Sequence, residues 1–288
     1  MHKILVTGAG GQLGSELKLL SQDFSQHLFF WTDATDLDIT DEKEVEQFIN
    51  TNEINLIINC AAYTAVDKAE TEYELADKIN HLAVKSLARL AKQKDIFLIH
   101  ISTDYVFNGK GYKPYPTDYP ANPINKYGYT KYLGEQAIKE ENPNRAAIIR
   151  TSWLYSSYGS NFVKTMLRLG KEKKSLKVVD DQIGVPTYAR DLALFILEKL
   201  LDQIGTGIGI YHYSNEGVCS WYDFAMEIMA LSGLNCEVKP IPTTVYPTPA
   251  KRPHYSLMDK TTLKKDFKTE IPYWKDSLET CMKLLENS

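Results

Sequence analysis

The sequence predicts an α/β protein, a Rossmann-type doubly wound parallel sheet with a smaller α/β substrate-binding lobe. Two observations carry that prediction. Short, continuous apolar runs alternate with amphipathic stretches through the first half of the chain, and a glycine-rich turn follows the first of those runs. Strands buried on both faces read as unbroken apolar segments, and the helices between them supply the covering layers.

The elements follow in order. Lys3–Thr7 is a strand, and the turn Gly8-Ala9-Gly10-Gly11-Gln12-Leu13-Gly14 leads into a helix over Gln12–Leu20. A second strand covers Leu28–Thr32, and a helix covers Asp41–Thr51. There Asp41, with Glu44 three residues later, has the pattern of a capping box. Leu56–Cys60, Phe97–Ser102 and Ala146–Thr151 are further strands, separated by helices over Glu72–Lys94 and Lys126–Glu141. After Thr151 the rhythm breaks. Pro186, Pro240, Pro242, Pro247, Pro249 and Pro253 punctuate shorter elements, and Tyr and Trp become frequent. Tyr188–Leu201 and Ile208–Tyr213 nevertheless read as one more helix and strand of the first lobe. The expected division is therefore discontinuous, with 1–152 and about 187–214 in a dinucleotide-binding domain. Residues 153–186 and 215–288 form the substrate-binding lobe.

Composition narrows the function classes. The chain has 288 residues, 43% hydrophobic and 24% charged, ordinary for a protein that buries a sizeable core. A formal net charge of -4 gives no attractive field for nucleic acid. Cys60, Cys219, Cys236 and Cys281 form no C-x-x-C pair, so they read as reduced thiols and not as a disulfide frame or a zinc site. No metal ligand set is expected. The first residues run straight into a strand, which leaves no room for a signal peptide, and no apolar run is long enough to cross a bilayer. The expectation is a cytoplasmic protein with no membrane partner.

The glycine turn spaces Gly8, Gly11 and Gly14 as G-x-x-G-x-x-G between a strand and a helix. Glycines there allow a tight turn and let a pyrophosphate approach the positive helix N-terminus, with Gln12 and Leu13 in its first turn. The second strand ends at Asp33, whose carboxylate either accepts from an adenosine ribose or is just a polar strand end; the sequence leaves both open. Asp38 and Ile39 follow the second strand, and Ala62, Tyr63 and Thr64 follow the third. Both segments lie where loops would wall an adenine and a pyrophosphate.

Tyr127-Gly128-Tyr129-Thr130-Lys131 is a Y-x-x-x-K at the head of a helix, which puts Tyr127 and Lys131 on one face. A neighbouring ammonium and an oxidised nicotinamide both favour the phenolate, so a lowered Tyr127 pKa is expected. Lys131 is also placed to hydrogen-bond a cofactor ribose. Upstream, the fourth strand ends in Ser102-Thr103-Asp104-Tyr105, where a hydroxyl would polarise a substrate carbonyl. Alternation sends Ser102 and Thr103 to opposite faces and does not choose between them.

Glycine turn, strand-end hydroxyl and Y-x-x-x-K in this order resemble the extended short-chain dehydrogenase/reductase family. Ser102-Thr103-Asp104-Tyr105-Val106-Phe107, Ala65-Val66-Asp67-Lys68-Ala69-Glu70, Thr151-Ser152-Trp153, Asp181-Gln182-Ile183-Gly184-Val185-Pro186-Thr187 and Arg252-Pro253 with Ser256 are similar to the dTDP-4-dehydrorhamnose reductases within it. The resemblance covers essentially the whole chain. It implies NADPH- or NADH-dependent reduction of a dTDP-keto-sugar at C4, yielding a precursor of cell-surface polysaccharide. It makes Thr103 the catalytic hydroxyl, Tyr127 the proton donor and Lys131 its partner. It also places Asp104, Tyr105 and Trp153 against the sugar and Arg252 against the diphosphate. Relatives that dehydrate nucleotide sugars carry Thr-Asp-Glu, whereas Tyr105 holds the third position here, which weighs against elimination.

Another class stays in view, because a non-catalytic regulatory subunit of methionine adenosyltransferase resembles the same family. An intact Thr103, Tyr127 and Lys131 favours an enzyme. Asp33, with no Arg beside it, points to NADH, while the resemblance points to NADPH. Some members dimerise through a magnesium ion held by acidic side chains. In Tyr188-Ala189-Arg190-Asp191, however, the cation Arg190 argues against such a site, and a homodimer is left open.

Overall fold

The computed structural model describes residues 1–201 and 205–286. Residues 202–204, inside the stretch expected to close the first lobe, and 287–288, at the end of the second, lie outside the described residues.

The strands in chain order are β1 (Lys3–Thr7), β2 (Leu28–Thr32), β3 (Leu56–Asn59), β4 (Phe97–Thr103), β5 (Arg145–Thr151), β6 (Leu154–Tyr155), β7 (Ser175–Val179), β8 (Ile183–Gly184), β9 (Thr187–Tyr188), β10 (Gly207–His212), β11 (Cys219–Ser220) and β12 (Glu237–Ile241). The helices that position the site are α1 (Gln12–Leu20), α2 (Glu42–Asn52), α3 (Tyr73–Asp77), α4 (Ala83–Gln93), α5 (Lys126–Glu141), α6 (Phe162–Glu172) and α7 (Ala189–Phe195). Later helices span Trp221–Ser232, Thr261–Phe267 and Trp274–Glu286.

Among the described residues, six parallel strands form the central sheet in the order β10-β5-β4-β3-β1-β2. The order reverses beside β1, since the chain steps outward to β2 and then crosses to β3 on the other side. A crevice opens at such a reversal, outside the carboxyl ends of the strands. The unbroken apolar reading of these strands has its physical cause in two cores. Ile4, Val6, Ile58, Ile99 and Ile149 pack on one face with Leu13 and Leu17 of α1 and Leu192 of α7. Leu5, Ile57, Leu98 and Ile148 pack on the other with Val45 of α2, Leu87 of α4 and Ile138 of α5. A third core joins Tyr155, Val163, Met166, Val185, Phe224 and Trp274 away from the sheet.

Three local expectations change, the first being the helix expected over Tyr188–Leu201, which is α7 followed by a wider π turn at Ile196–Leu200. The long helix expected over Glu72–Lys94 is α3 and α4 joined by a wider π turn at Lys78–Leu82. The capping box expected at Asp41 is half made: its carboxylate accepts from the Lys43 and Glu44 N–H groups, while its own N–H donates to the Asp38 carbonyl instead of to Glu44. A complete box forms at Ser220, which exchanges hydrogen bonds with Asp223 and starts the Trp221–Ser232 helix.

Candidate functional site

The carboxyl ends of β1 to β5 open onto a cleft of about 840 Å³. Its floor at β1 is the glycine turn. Gly8 holds φ +66°, and a Cβ on Gly14 would stand 2.4 Å from the Gly8 carbonyl, so α1 can press against the turn only with glycine there. Gly11 is the N-cap of α1, and no side chain caps the first turn, which leaves backbone N–H groups available for an anion. Gly8, Gly11, Gln12, Leu13 and Gly14 all line the cleft. Gln12 also ties the turn to the chain beyond β5, donating to the Leu154 carbonyl at 3.3 Å and accepting from Asn161 at 2.9 Å.

Asp33, Asp38, Ile39, Ala62 and Thr64 line the cleft as well. Asp33 resolves neither way the sequence left open. Both of its carboxylate oxygens lie 3.0 Å from the Gly10 N–H, so it braces the glycine turn while still bordering the cleft. Tyr63 departs from expectation and does not line the cleft. Its N–H and carbonyl pair with the Asn80 side chain and its hydroxyl donates to Glu72 at 2.6 Å, which pushes the phenol up to about 12.

At β4 the two hydroxyls separate as alternation requires. Ser102 turns toward α5 and donates to the buried Glu135 carboxylate at 2.6 Å, which Arg150 grips through two further hydrogen bonds. Thr103 stays at the cleft, accepts from the Tyr105 N–H and donates to Asp104 at 3.1 Å. Asp104 is 2% exposed, and burial lifts its carboxyl to about 7 against hydrogen bonds from Ser256 and Thr103. Among the described residues its Oδ2 has no partner.

Helix α5 delivers the Y-x-x-x-K pair. Asn125 caps it by accepting from the Gly128 N–H at 2.7 Å, and its side-chain amide donates to the Lys251 carbonyl. A Cβ on Gly128 would lie 2.2 Å from the Tyr105 carbonyl, so glycine lets the helix start press against the turn that follows β4. Tyr127 thereby stands edge-on to the Tyr105 ring, with centroids 5.7 Å apart. Its phenol is raised to about 12, the reverse of the expected direction. Desolvation outweighs the hydrogen bond shared with Thr103, and Asp104 adds to the rise. Lys131 is 1% exposed and donates to the Ile101 carbonyl at 2.6 Å. Burial lowers it to about 8, against the pull of Glu135.

Trp153 closes the far wall. Its φ of +47° is uncommon for a bulky residue, and its ring stacks on Trp221 with centroids 3.7 Å apart. Arg252, expected at a diphosphate, does not line the cleft. Both of its terminal nitrogens hold the Asp67 carboxylate, at 3.0 and 2.7 Å, which lowers the Asp67 pKa and commits the guanidinium fork to an internal pair. Sequence reasoning missed Trp221, Gly159 and Ser160, which also line the cleft. The S-x-x-D at Ser220 was the available signal for Trp221, because a helix start there brings that ring inward. Arg190 lies 3.7 Å from the buried Glu16 carboxylate. No helix among the described residues is long and apolar enough to cross a membrane.

A family model described as the RmlD substrate binding domain matches residues 1–287. The dTDP-4-dehydrorhamnose reductase of Aggregatibacter actinomycetemcomitans is 41% identical over 97% of this chain and 98% of its own length. The spore coat polysaccharide biosynthesis protein SpsK of Bacillus subtilis is 40% identical over 96% of each. The crystal structure of a dTDP-4-dehydrorhamnose reductase from Clostridium acetobutylicum superposes with a TM-score of 0.94 at 44% identity, covering 99% of both chains. That of the Bacillus anthracis enzyme in complex with NADP gives 0.92 at 40% identity, over 98% of this chain and 99% of that one. Nothing in these matches supports a non-catalytic regulatory subunit. With its glycine turn, strand-end hydroxyl and Tyr127/Lys131 helix gathered on one cleft, this chain belongs to the RmlD substrate binding domain family.

Proposed function

We propose that Tyr127, Thr103 and Lys131 carry out the reduction of the C4 ketone of dTDP-4-dehydro-L-rhamnose to dTDP-L-rhamnose, with NADPH or NADH as the reductant. The observation that carries the proposal is the meeting of Thr103, Tyr127 and Lys131 with the glycine turn on one cleft. The turn fits a dinucleotide, because Gly14 leaves no room for a Cβ and the first turn of α1 carries no side-chain cap. Gly8, Gly11, Gln12, Leu13 and Gly14 would hold its pyrophosphate, Asp33 its adenosine ribose and Lys131 its nicotinamide ribose. When bound, the reduced nicotinamide supplies a hydride.

The protein's own residues then do the rest. Thr103 orients the ketone oxygen beside Tyr127. Tyr127, held as the neutral phenol by burial, donates its proton to the oxygen as negative charge develops there. Lys131 places positive charge behind the phenol and stabilises the phenolate it leaves. Asp104, Tyr105 and Trp153 contact the sugar, and Trp221 fixes the Trp153 ring. We assign residues 1–152 and about 187–214 to the cofactor and 153–186 and 215–288 to the nucleotide-sugar. The four free cysteines fit a reducing compartment such as the cytoplasm.

The test is product analysis. Purified chain, NADPH and dTDP-4-dehydro-L-rhamnose should yield dTDP-L-rhamnose by NMR, in step with nicotinamide oxidation. Oxidation without that product, or intact substrate after prolonged incubation, would sink the proposal.

A further inference from the structure

Beneath the cleft runs a row of buried polar side chains that the reaction above leaves unused. The register sets Thr7 of β1 opposite Asn59 of β3, and Asn59 opposite His100 of β4. All three lie two residues beyond Leu5, Ile57 and Leu98, on the face that those residues pack against α4 and α5. Apolar residues at these positions would simply extend that core. Instead Thr7 Oγ1 donates to Asn59 Oδ1 at 2.7 Å, and Asn59 Nδ2 lies 3.0 Å from His100 Nδ1. His100 Nε2 in turn lies 3.3 Å from Lys131 Nζ. Thr7, Asn59, His100 and Lys131 are each 1% exposed or less.

We infer that His100 is a positioning residue for Lys131, holding the lysine head from below at the cleft wall, with Asn59 and Thr7 fixing the imidazole. Burial and the adjacent lysine hold His100 well below the ordinary histidine range, so the ring stays neutral. A neutral imidazole has one donor and one acceptor nitrogen, and an amide offers an acceptor at one end and a donor at the other. With the Asn59 amide donating to Nδ1, the ring proton sits on Nε2 and faces a neutral amine. With the amide reversed, Nδ1–H donates to Oδ1 and a bare Nε2 accepts from the ammonium. The row therefore stays hydrogen-bonded in both protonation states of Lys131. The other groups facing that head are the Ile101 carbonyl and the Cys60 thiol from the strand side and Glu135 one turn along α5. None of these offers a neutral ring acceptor.

The inference rests on Lys131 serving the reaction, and Lys131→Met tests that reading separately. Retained turnover in Lys131→Met would fail that reading whatever His100 does. The test of His100 compares two amides. Glutamine places an oxygen near the Nε2 position and keeps the contact to Lys131, while asparagine reaches only the Nδ1 position and keeps the contact to Asn59. The readout is the pH dependence of kcat, whose alkaline limb is expected to follow loss of the Lys131 ammonium, which burial shifts toward neutral pH. His100→Asn should move that limb down by about one pH unit, roughly a tenfold loss above it, with the sugar KM within about twofold. His100→Gln should hold the limb within about a third of a unit of wild type. A folded His100→Asn, judged by circular dichroism, with a wild-type limb would overturn the inference, as would a Gln variant that behaves like Asn. Should His100→Asn fail to fold, a one-unit fall in His100→Gln overturns it alone.

Discussion

The groups around the cleft are tuned mainly by burial, and Asp104 shows the consequence most directly. Its carboxyl is raised to about 7, so between pH 4 and 7 the native state keeps a proton that the unfolded chain has released. Stability contributed by this group is present at low pH and declines as pH rises through that window. Asp104→Asn removes the effect, so its melting temperature relative to wild type should climb by about 2–4 °C or more from pH 5 to pH 8. A difference that stays flat or falls would contradict the burial argument. Cofactor choice is the second residue-scale question. Asp33 braces Gly10 and borders the cleft, and no cation stands beside it in Ala34, Thr35 and Asp36. Steady-state kinetics should show Asp33→Ala improving NADPH use relative to NADH by about tenfold, the scale of one charge interaction of about 1.4 kcal/mol. An unchanged ratio would remove Asp33 from selectivity. The Y-x-x-x-K pair and the strand-end hydroxyl were legible because helical and strand periodicity decide them locally. Arg252 and Tyr63 were not, since their partners Asp67 and Glu72 become visible only in the fold; Asp67 and Arg252 are 185 positions apart.

Among elements, the start of α5 depends on Gly128. The Tyr105 carbonyl is backbone, so it cannot move aside cheaply for a Cβ placed 2.2 Å away. Gly128→Ala should cost about 1–3 kcal/mol through overpacking. It should also lower kcat by about 10²-fold, because a shift of order 1 Å displaces Tyr127 from its proton acceptor. Stopped-flow and denaturant measurements check the two effects together, and a wild-type kcat would show that the helix start tolerates displacement. Most helices and strands of the sheet were legible from apolar runs and their spacing. The π turn between α3 and α4 was not, because Lys78–Leu82 holds no glycine or proline to mark it. At Asp41 the sequence pattern of a box was present, but the Asp38 carbonyl captured the N–H that Glu44 needed.

Across the whole molecule, two cores clamp the sheet and a buried ion pair locks β4 and β5 to α5. Glu135 is fully buried and Arg150 2% exposed; the guanidinium also donates to the Thr117 carbonyl and lies over the Phe107 ring. Removing one partner strands a buried charge, so Glu135→Ala should lower unfolding free energy by about 3–5 kcal/mol. A urea midpoint change worth less than about 1 kcal/mol would show that water or a neighbour compensates Arg150. The same pair occupies the Ser102 hydroxyl, while the Thr103 hydroxyl turns to Asp104 at the cleft. This is why neither strand end nor helix alone told the hydroxyls apart: the choice is made by Glu135, which sequence reading had no reason to single out.

The central claim is that the Tyr127 phenol is the proton donor in a nicotinamide-dependent ketone reduction. Single-turnover oxidation of NADPH with dTDP-4-dehydro-L-rhamnose, in wild type and Tyr127→Phe, tests it most directly. The account predicts rapid oxidation in the wild type and a loss of about 10²–10⁴-fold in the variant, with cofactor affinity nearly intact. Oxidation at a wild-type rate by a folded, cofactor-binding Tyr127→Phe would contradict it.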